Sequence, residues 1–259
     1  METIRVEREG DVLIATIDRP DSDLNAVDAT LHADLATLFR SLRIERDARA
    51  VLLTGSKKAF SAGGDFSWFP TLRDPGVLDA LRREAKQIVW DLLDIELPVV
   101  AAINGPAIGL GASIALLCDV IVIADSALIA DPHVKVGIVA GDGGAAIWPL
   151  LVGPALAKQY LMTGDPLTAA DAARLGLVNE VVPDAQIRER GLAWAARLAA
   201  GAPLAVRATK IAVNQQVKRA LLDSFDVSTA LEMTTLVSAD HQEALDALRE
   251  KRPPRFEGR

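Results

Sequence analysis

Twice in this chain a short charge-free apolar run gives way to a glycine turn and then to a helical stretch. The first case is Val51-Leu52-Leu53-Thr54 ahead of Phe60-Ser61-Ala62-Gly63-Gly64-Asp65, and the second is Val99-Val100-Ala101-Ala102-Ile103 ahead of Asn104 to Gly111. Runs of four or five apolar residues fit strands buried on both faces, as in a sheet covered by helices. Glycine lets the backbone take positive φ and lets a ligand approach, while the helix that follows opens with N–H groups lacking an intrahelical partner. Two such donors aimed at one oxygen would make an oxyanion hole; the plainer alternative is a pair of tight turns. Gly109-Leu110-Gly111 is not a dinucleotide fingerprint, because Ile114 stands where the third glycine belongs.

The rest of the chain fits an α/β class. Ile4 to Glu9 and Val12 to Asp18 flank Gly10-Asp11, a hairpin signal, and Leu31, Leu35, Leu38, Phe39 and Leu42 form one helical stripe. Ala50 to Thr54 and Pro98 to Ile103 are expected strands, and Val77 to Asp94 and Ala112 to Leu117 expected helices. Beyond Asp142 the pattern is helical except for Leu177 to Val182, with Thr168 and Ser238 or Asp240 as N-caps and Gly176 as a stop. No linker composition separates the two parts.

Several functions are excluded early. With 28 Lys+Arg against 35 Asp+Glu the net charge is −7 and there is no basic run, so the chain has no electrostatic footprint for nucleic acid. One cysteine, Cys118, cannot build a disulfide framework or a paired-thiolate zinc site. Pro98 to Cys118 is long enough to span a bilayer, yet Asn104, Gly105, Pro106, Gly109 and Gly111 would break such a helix midway. The charged, alternating N-terminus lacks a signal-peptide core. A cytoplasmic enzyme with no membrane partner is the expectation.

The segments AVLLTGSKKAFSAGGDF, PVVAAINGPAIGLGASIALLCDVIVIADSALI, GIVAGDGG and LMTGDPLTAADAARLGLVNEVVP together resemble the crotonase (enoyl-CoA hydratase/isomerase) superfamily, from about Ile14 to the C-terminal EKRPPRFEGR. The resemblance implies a spiral of ββα units over residues 1–195 that binds acyl-CoA, and a helical C-terminal trimerisation region over 196–259. It also implies a homotrimer or dimer of trimers, with coenzyme A present only as part of the thioester substrate, and no other cofactor or metal. Matched onto this chain, the oxyanion-hole donors are Gly64 and Leu110, the latter standing where the family usually has glycine. Asn25, Ala26, Ala62 and Asp65 match coenzyme A contact regions, and Trp68 and Phe69, just past the first turn, are expected in the acyl pocket.

The match fails where hydratases of the family carry two glutamates that hold and activate water, for Ser113 and His133 stand there. Nearby are Asp131 and Asp142. A histidine transfers protons near neutral pH and a carboxylate on its second nitrogen fixes its tautomer, so His133 and Asp142 are an expected dyad. Carbon–carbon bond hydrolases acting on β-diketones within the superfamily use a His and an Asp from this region. The alternative for these two is that His133 caps a strand end and Asp142 the helix after Gly143-Gly144. Ser113, followed by His133 and Asp142, also has the order of a serine-type hydrolase, against which stands a small residue that merely makes room. A coenzyme A-binding protein without catalysis is the third possibility. His32 and His241 are expected to face solvent, and Cys118, Trp90 and Trp148 to sit in the core.

Overall fold

The computed structural model describes all 259 residues, Met1–Arg259. Strands β1 (Ile4–Glu9) and β2 (Val12–Ile17) form the expected hairpin, with Ile4 opposite Ile17 and Glu9 opposite Val12. Gly10 takes φ 58°, the left-handed conformation that a two-residue hairpin turn requires. Helix α1 (Ala29–Arg43) is N-capped by Asp28, whose carboxylate accepts from Leu31 N–H at 2.9 Å, and it buries the whole predicted stripe. Strand β3 (Ala50–Gly55) pairs parallel to β2; after α2 (Pro75–Asp94), strand β4 (Val99–Ile103) pairs parallel to β3.

From here the chain moves outward in layers. Short β5 (Ala107–Ile108) leads into α3 (Leu110–Leu116), then β6 (Val120–Ala124) pairs parallel to β4 and short β7 (Leu128–Ala130) pairs parallel to β5. A strand of the large sheet is thus followed, after a turn, by a short extended piece pairing in a second direction; Ser61, bridged to Ala107, plays that part after β3. Helix α4 (Gly144–Thr163) is broken at Gly153, where φ is 78° and Pro154 follows. Strand β8 (Leu167–Thr168), helix α5 (Ala169–Arg174) and strand β9 (Glu180–Val182) complete two sheets, ordered β1-β2-β3-β4-β6-β9 and β5-β7-β8. Thr168 caps α5 as expected, accepting from Asp171 N–H at 3.1 Å. The sequence pattern does not show β8, whose two residues are too few to carry a period.

Helix α6 (Ile187–Ala199) lies on the large sheet, where Gly191 approaches Leu52 and Ala102 so closely that a Cβ would come within 2.9 Å of both. The division expected at 195/196 falls inside this helix, and Ala195 and Ala199 share one core. Helix α7 (Pro203–Leu236) adds Leu221 and Phe225 to that core, and α8 (Ala239–Glu250) is capped by Ser238. Trp148 and Cys118 are buried, and Trp90 packs against the core from a half-buried position. No helix is long and apolar enough to cross a membrane.

Candidate active site

The two glycine turns are bonded to one another. Ile108 N–H donates to Ser61 O at 2.9 Å and Ser61 N–H to Pro106 O at 3.1 Å, while Val27 and residues 63–65 zip together through Val27 N–H to Gly63 O and Asp65 N–H to Val27 O. Gly63 (φ 79°) and Gly109 (φ 54°) take conformations that favour glycine, and a Cβ on Gly63 would stand 3.2 Å from Ile108 O. The N–H groups of Gly64 and Leu110 donate to no backbone carbonyl. Both residues line one cavity of about 60 Å³, with His32, Trp68, Phe69, His133, Asp142 and Glu232 on its walls. A cleft of about 270 Å³, lined by Ala62, Gly63, Ile108 and Lys135, shares Gly64, Phe69 and His133 with it.

His133 opens a short 3-10 turn, His133–Val136, directly after β7. Its Nδ1 is hydrogen-bonded to Oδ1 of the buried Asp131, and its Nε2 is 3.5 Å from Asp142 Oδ2. Burial works against a charged imidazole, but Asp131 and Asp142 outweigh it and push the His133 pKa up to about 10. Burial, reinforced by the Asp131 charge, raises Asp142 above the usual carboxylate range against the pull of His133. Glu232, on α7, is raised well above its ordinary value by burial and by Asp142, and its Oε2 has no partner. The cluster therefore favours a protonated imidazole, while burial favours the neutral forms of Asp142 and Glu232. Asp131, His133 and Asp142 offer ligand atoms within 4.8 Å of one another, the one grouping here able to hold a metal ion. Both imidazole nitrogens already face carboxylate oxygens, an arrangement suited to moving protons.

Several expectations are corrected. The orienting carboxylate on His133 is Asp131, two residues away, and Asp142 faces the other nitrogen instead of fixing the tautomer. Asp142 does not cap α4 either; Gly143 holds that position without a side-chain bond. Ser113 Oγ donates to Asp142 Oδ1 at 3.2 Å, makes no bond to His133 and is fully buried, so the Ser-His-Asp relay is not assembled. The Asn25 side chain is consumed by the loop: Oδ1 accepts from Arg19 N–H, and Nδ2 donates to Ser56 O and Ala59 O. It fixes the loop that carries Ala26. Asp65 accepts from Arg19 and Ser67, which hold its carboxyl below the usual range despite burial. Trp68 and Phe69 line the cavity as expected.

His32 and His241 do not face solvent; both are buried. His241 Nδ1 donates to Val136 O at 2.7 Å, its ring meets Phe69 edge-on, and burial lowers its pKa. His32 sits three and four residues before Leu35 and Ala36, on the shoulder of the apolar stripe, a spacing that signals burial. Glu232 escaped the sequence reading altogether, though it shares a helical face with Leu221, Phe225, Ser228 and Leu236, all buried.

Two predictions arise from this geometry. A Cβ on Gly144 would lie 2.0 Å from Asp131 Oδ2, so Gly144→Ala must displace the carboxylate that grips His133. Its backbone tolerates alanine, since Gly144 is not among the positive-φ glycines. Turnover is expected to fall about 10²-fold with the fold intact, checked by kinetics beside circular dichroism. Second, His133, Asp142 and Glu232 all bind protons more tightly in the folded chain than in the unfolded one. The His133 contribution is fully present below pH 6.5 and is lost as pH rises toward about 10. Thermal midpoints should therefore fall over that range, and more steeply in the native protein than in His133→Gln.

Comparison with known proteins fits this architecture. The family model described as enoyl-CoA hydratase/isomerase matches residues 7–259. A probable enoyl-CoA hydratase of Rhodobacter capsulatus is 35% identical over 99% of this chain and 98% of its own length. Among solved structures, an enoyl-CoA hydratase/isomerase from Mycobacterium paratuberculosis superposes with a TM-score of 0.91 at 39% identity, covering 95% of this chain and 98% of that one. A β-diketone hydrolase from Anabaena, bound to (S)-3-oxocyclohexyl acetic acid, superposes with a TM-score of 0.85 at 33% identity, covering 91% and 94%. With its layered ββα build and a family match over nearly its whole length, the chain belongs to the enoyl-CoA hydratase/isomerase family.

Proposed function

We propose that this chain acts on acyl-CoA thioesters through an enolate whose oxygen is held by the N–H groups of Gly64 and Leu110, with His133 carrying the proton. The observation that carries this reading is His133 itself, on the wall of the cavity that Gly64 and Leu110 line, gripped by Asp131 and faced by Asp142. The resting proton sits on the imidazole. For addition of water, Asp142 takes a proton from water as its oxygen attacks the β carbon; the double-bond electrons move to the thioester oxygen, and the α carbon takes the proton from His133. The 3.5 Å separation of Asp142 Oδ2 and His133 Nε2 lets the proton return and closes the cycle. Coenzyme A would reach the cavity through the cleft past Ala62 and Lys135. Because a carboxylate pair is absent from the usual positions, crotonyl-CoA hydration is expected to be slower than that of a two-glutamate hydratase by about 10² to 10⁴. Rapid hydration in a spectrophotometric assay would count against this reading.

A second reading, cleavage of a β-diketone, is supported by the small cavity and by the likeness to the Anabaena hydrolase. The same groups serve it: Asp142 takes a proton from water, the oxygen attacks one carbonyl, the carbon–carbon bond breaks, and His133 protonates the enolate carbon. Loss of absorbance from cyclic 1,3-diketones tests it directly. Ser113 is not the nucleophile in either reading, and a fluorophosphonate probe should leave it unlabelled. Assembly as a trimer is part of the same proposal. Leu150, Leu204, Val213 and Leu222 expose apolar side chains on α4 and α7, beside a groove of about 600 Å³. Light scattering should give three or six times the chain mass.

A further inference from the structure

His32 is a buried titratable group that the chemistry above does not use. It projects from α1 into the cavity beside Trp68, Leu72, Leu81 and Ala85, with His133, Asp142 and Glu232 lining the same cavity. Its Nδ1 is bonded to Glu84 Oε2 at 2.8 Å, and its ring lies 5.7 Å from that of Trp68. Nε2 has no hydrogen-bond partner, and it is not sealed off as other unpartnered buried atoms are, among them His241 Nε2. His32 is buried and lines the cavity, and with Nδ1 taken by Glu84, Nε2 is the ring nitrogen left to meet a ligand there. A buried polar atom without a partner is costly unless something bonds to it. A ring that carries one proton and donates it from Nδ1 to the Glu84 carboxylate keeps its lone pair on Nε2, and the ligand group that matches that lone pair is a donor.

We infer that His32, oriented by Glu84, is a specificity residue that accepts a hydrogen bond from a hydroxyl on the substrate's acyl group. The substrate class is then a short hydroxyacyl thioester. A cavity of about 60 Å³ holds roughly four waters, room for a short acyl group. A site built to bond a hydroxyl discriminates strongly against the analogue lacking it, because the site's own polar atom is left unpaired. This inference rests on the acyl-CoA reading of the site.

The test is calorimetric binding of butyryl- and pentanoyl-CoA against their ω-hydroxy counterparts, with histidine nitrogen shifts followed by NMR. The expected result is tighter binding of a hydroxylated member by about tenfold or more, a shift of His32 Nε2 with that ligand only, and a ratio near one in His32→Leu. Glu84→Gln, which leaves the imidazole in place but removes the charged acceptor at Nδ1, should reduce the ratio without abolishing it. Equal affinities in the native protein, or an unchanged ratio in His32→Leu, would overturn this inference and leave the enolate reading standing. No binding by any of the four thioesters would overturn both.

Discussion

His133→Ala is expected to lower turnover by about 10² to 10⁴, the usual loss when a positioned acid or base is removed. The substitution removes the group that holds the proton between Asp131 and Asp142, and no other side chain in the cavity faces both. It also leaves the buried Asp131 carboxylate without its cation, a defect that typically costs about 3 to 5 kcal/mol when a buried pair is broken. A stability loss must therefore be separated from a catalytic one. His133→Gln, which can still donate to Asp131, should recover much of the thermal midpoint but none of the turnover. Recovery of both would mean that the imidazole is needed only for packing.

Asp131→Asn has the second large effect, and its pH dependence tells a catalytic partner from a structural one. Asp131 is the stronger of the two carboxylate influences on His133, by charge and by direct bonding. Replacing it with an amide lowers the proton affinity of the imidazole and permits the wrong tautomer. Turnover at pH 7 should drop by roughly 10² or more. In the native protein, activity that needs protonated His133 persists as pH rises and is lost near about 10. In Asp131→Asn that alkaline limb moves to lower pH. Asp142→Asn should instead impair the step that takes a proton from water, without bringing the alkaline limb as far down. Equal pH profiles for native protein and Asp131→Asn would place the orienting role elsewhere.

How much of this was legible in the sequence follows from which contacts are local. The hairpin around Gly10-Asp11, the α1 stripe, the Thr168 and Ser238 caps and both glycine turns depend on residues close in sequence, and all appear where the pattern puts them. His133 was legible as a replacement at a family position. Its partner was not, because the choice between Asp131 and Asp142 depends on side-chain direction and on Gly144 leaving space beside Asp131 Oδ2. Glu232 reaches the site from α7, about a hundred residues after His133, so no spacing rule ties the two together. His32 was misassigned because the polar residues beside it in sequence outweighed its place on the shoulder of a buried helical face. Asn25, a matching motif residue, also clamps its own loop, with positive φ and an amide bonded at both ends, a role that the motif alone does not reveal.

In the proposed chemistry His133 exchanges a proton with the carbon next to a thioester carbonyl held by Gly64 and Leu110. Deuterium exchange at the α carbon of butyryl-CoA in heavy water, followed by proton NMR at a pH of about 10, where part of His133 is neutral and can take the α proton, measures that step without requiring any particular overall reaction. The native protein should wash out the α-proton signal, and His133→Gln, folded by circular dichroism, should do so at least about 10²-fold more slowly. Exchange at the native rate in His133→Gln, or no exchange in the native protein while the thioester is bound, would contradict the account.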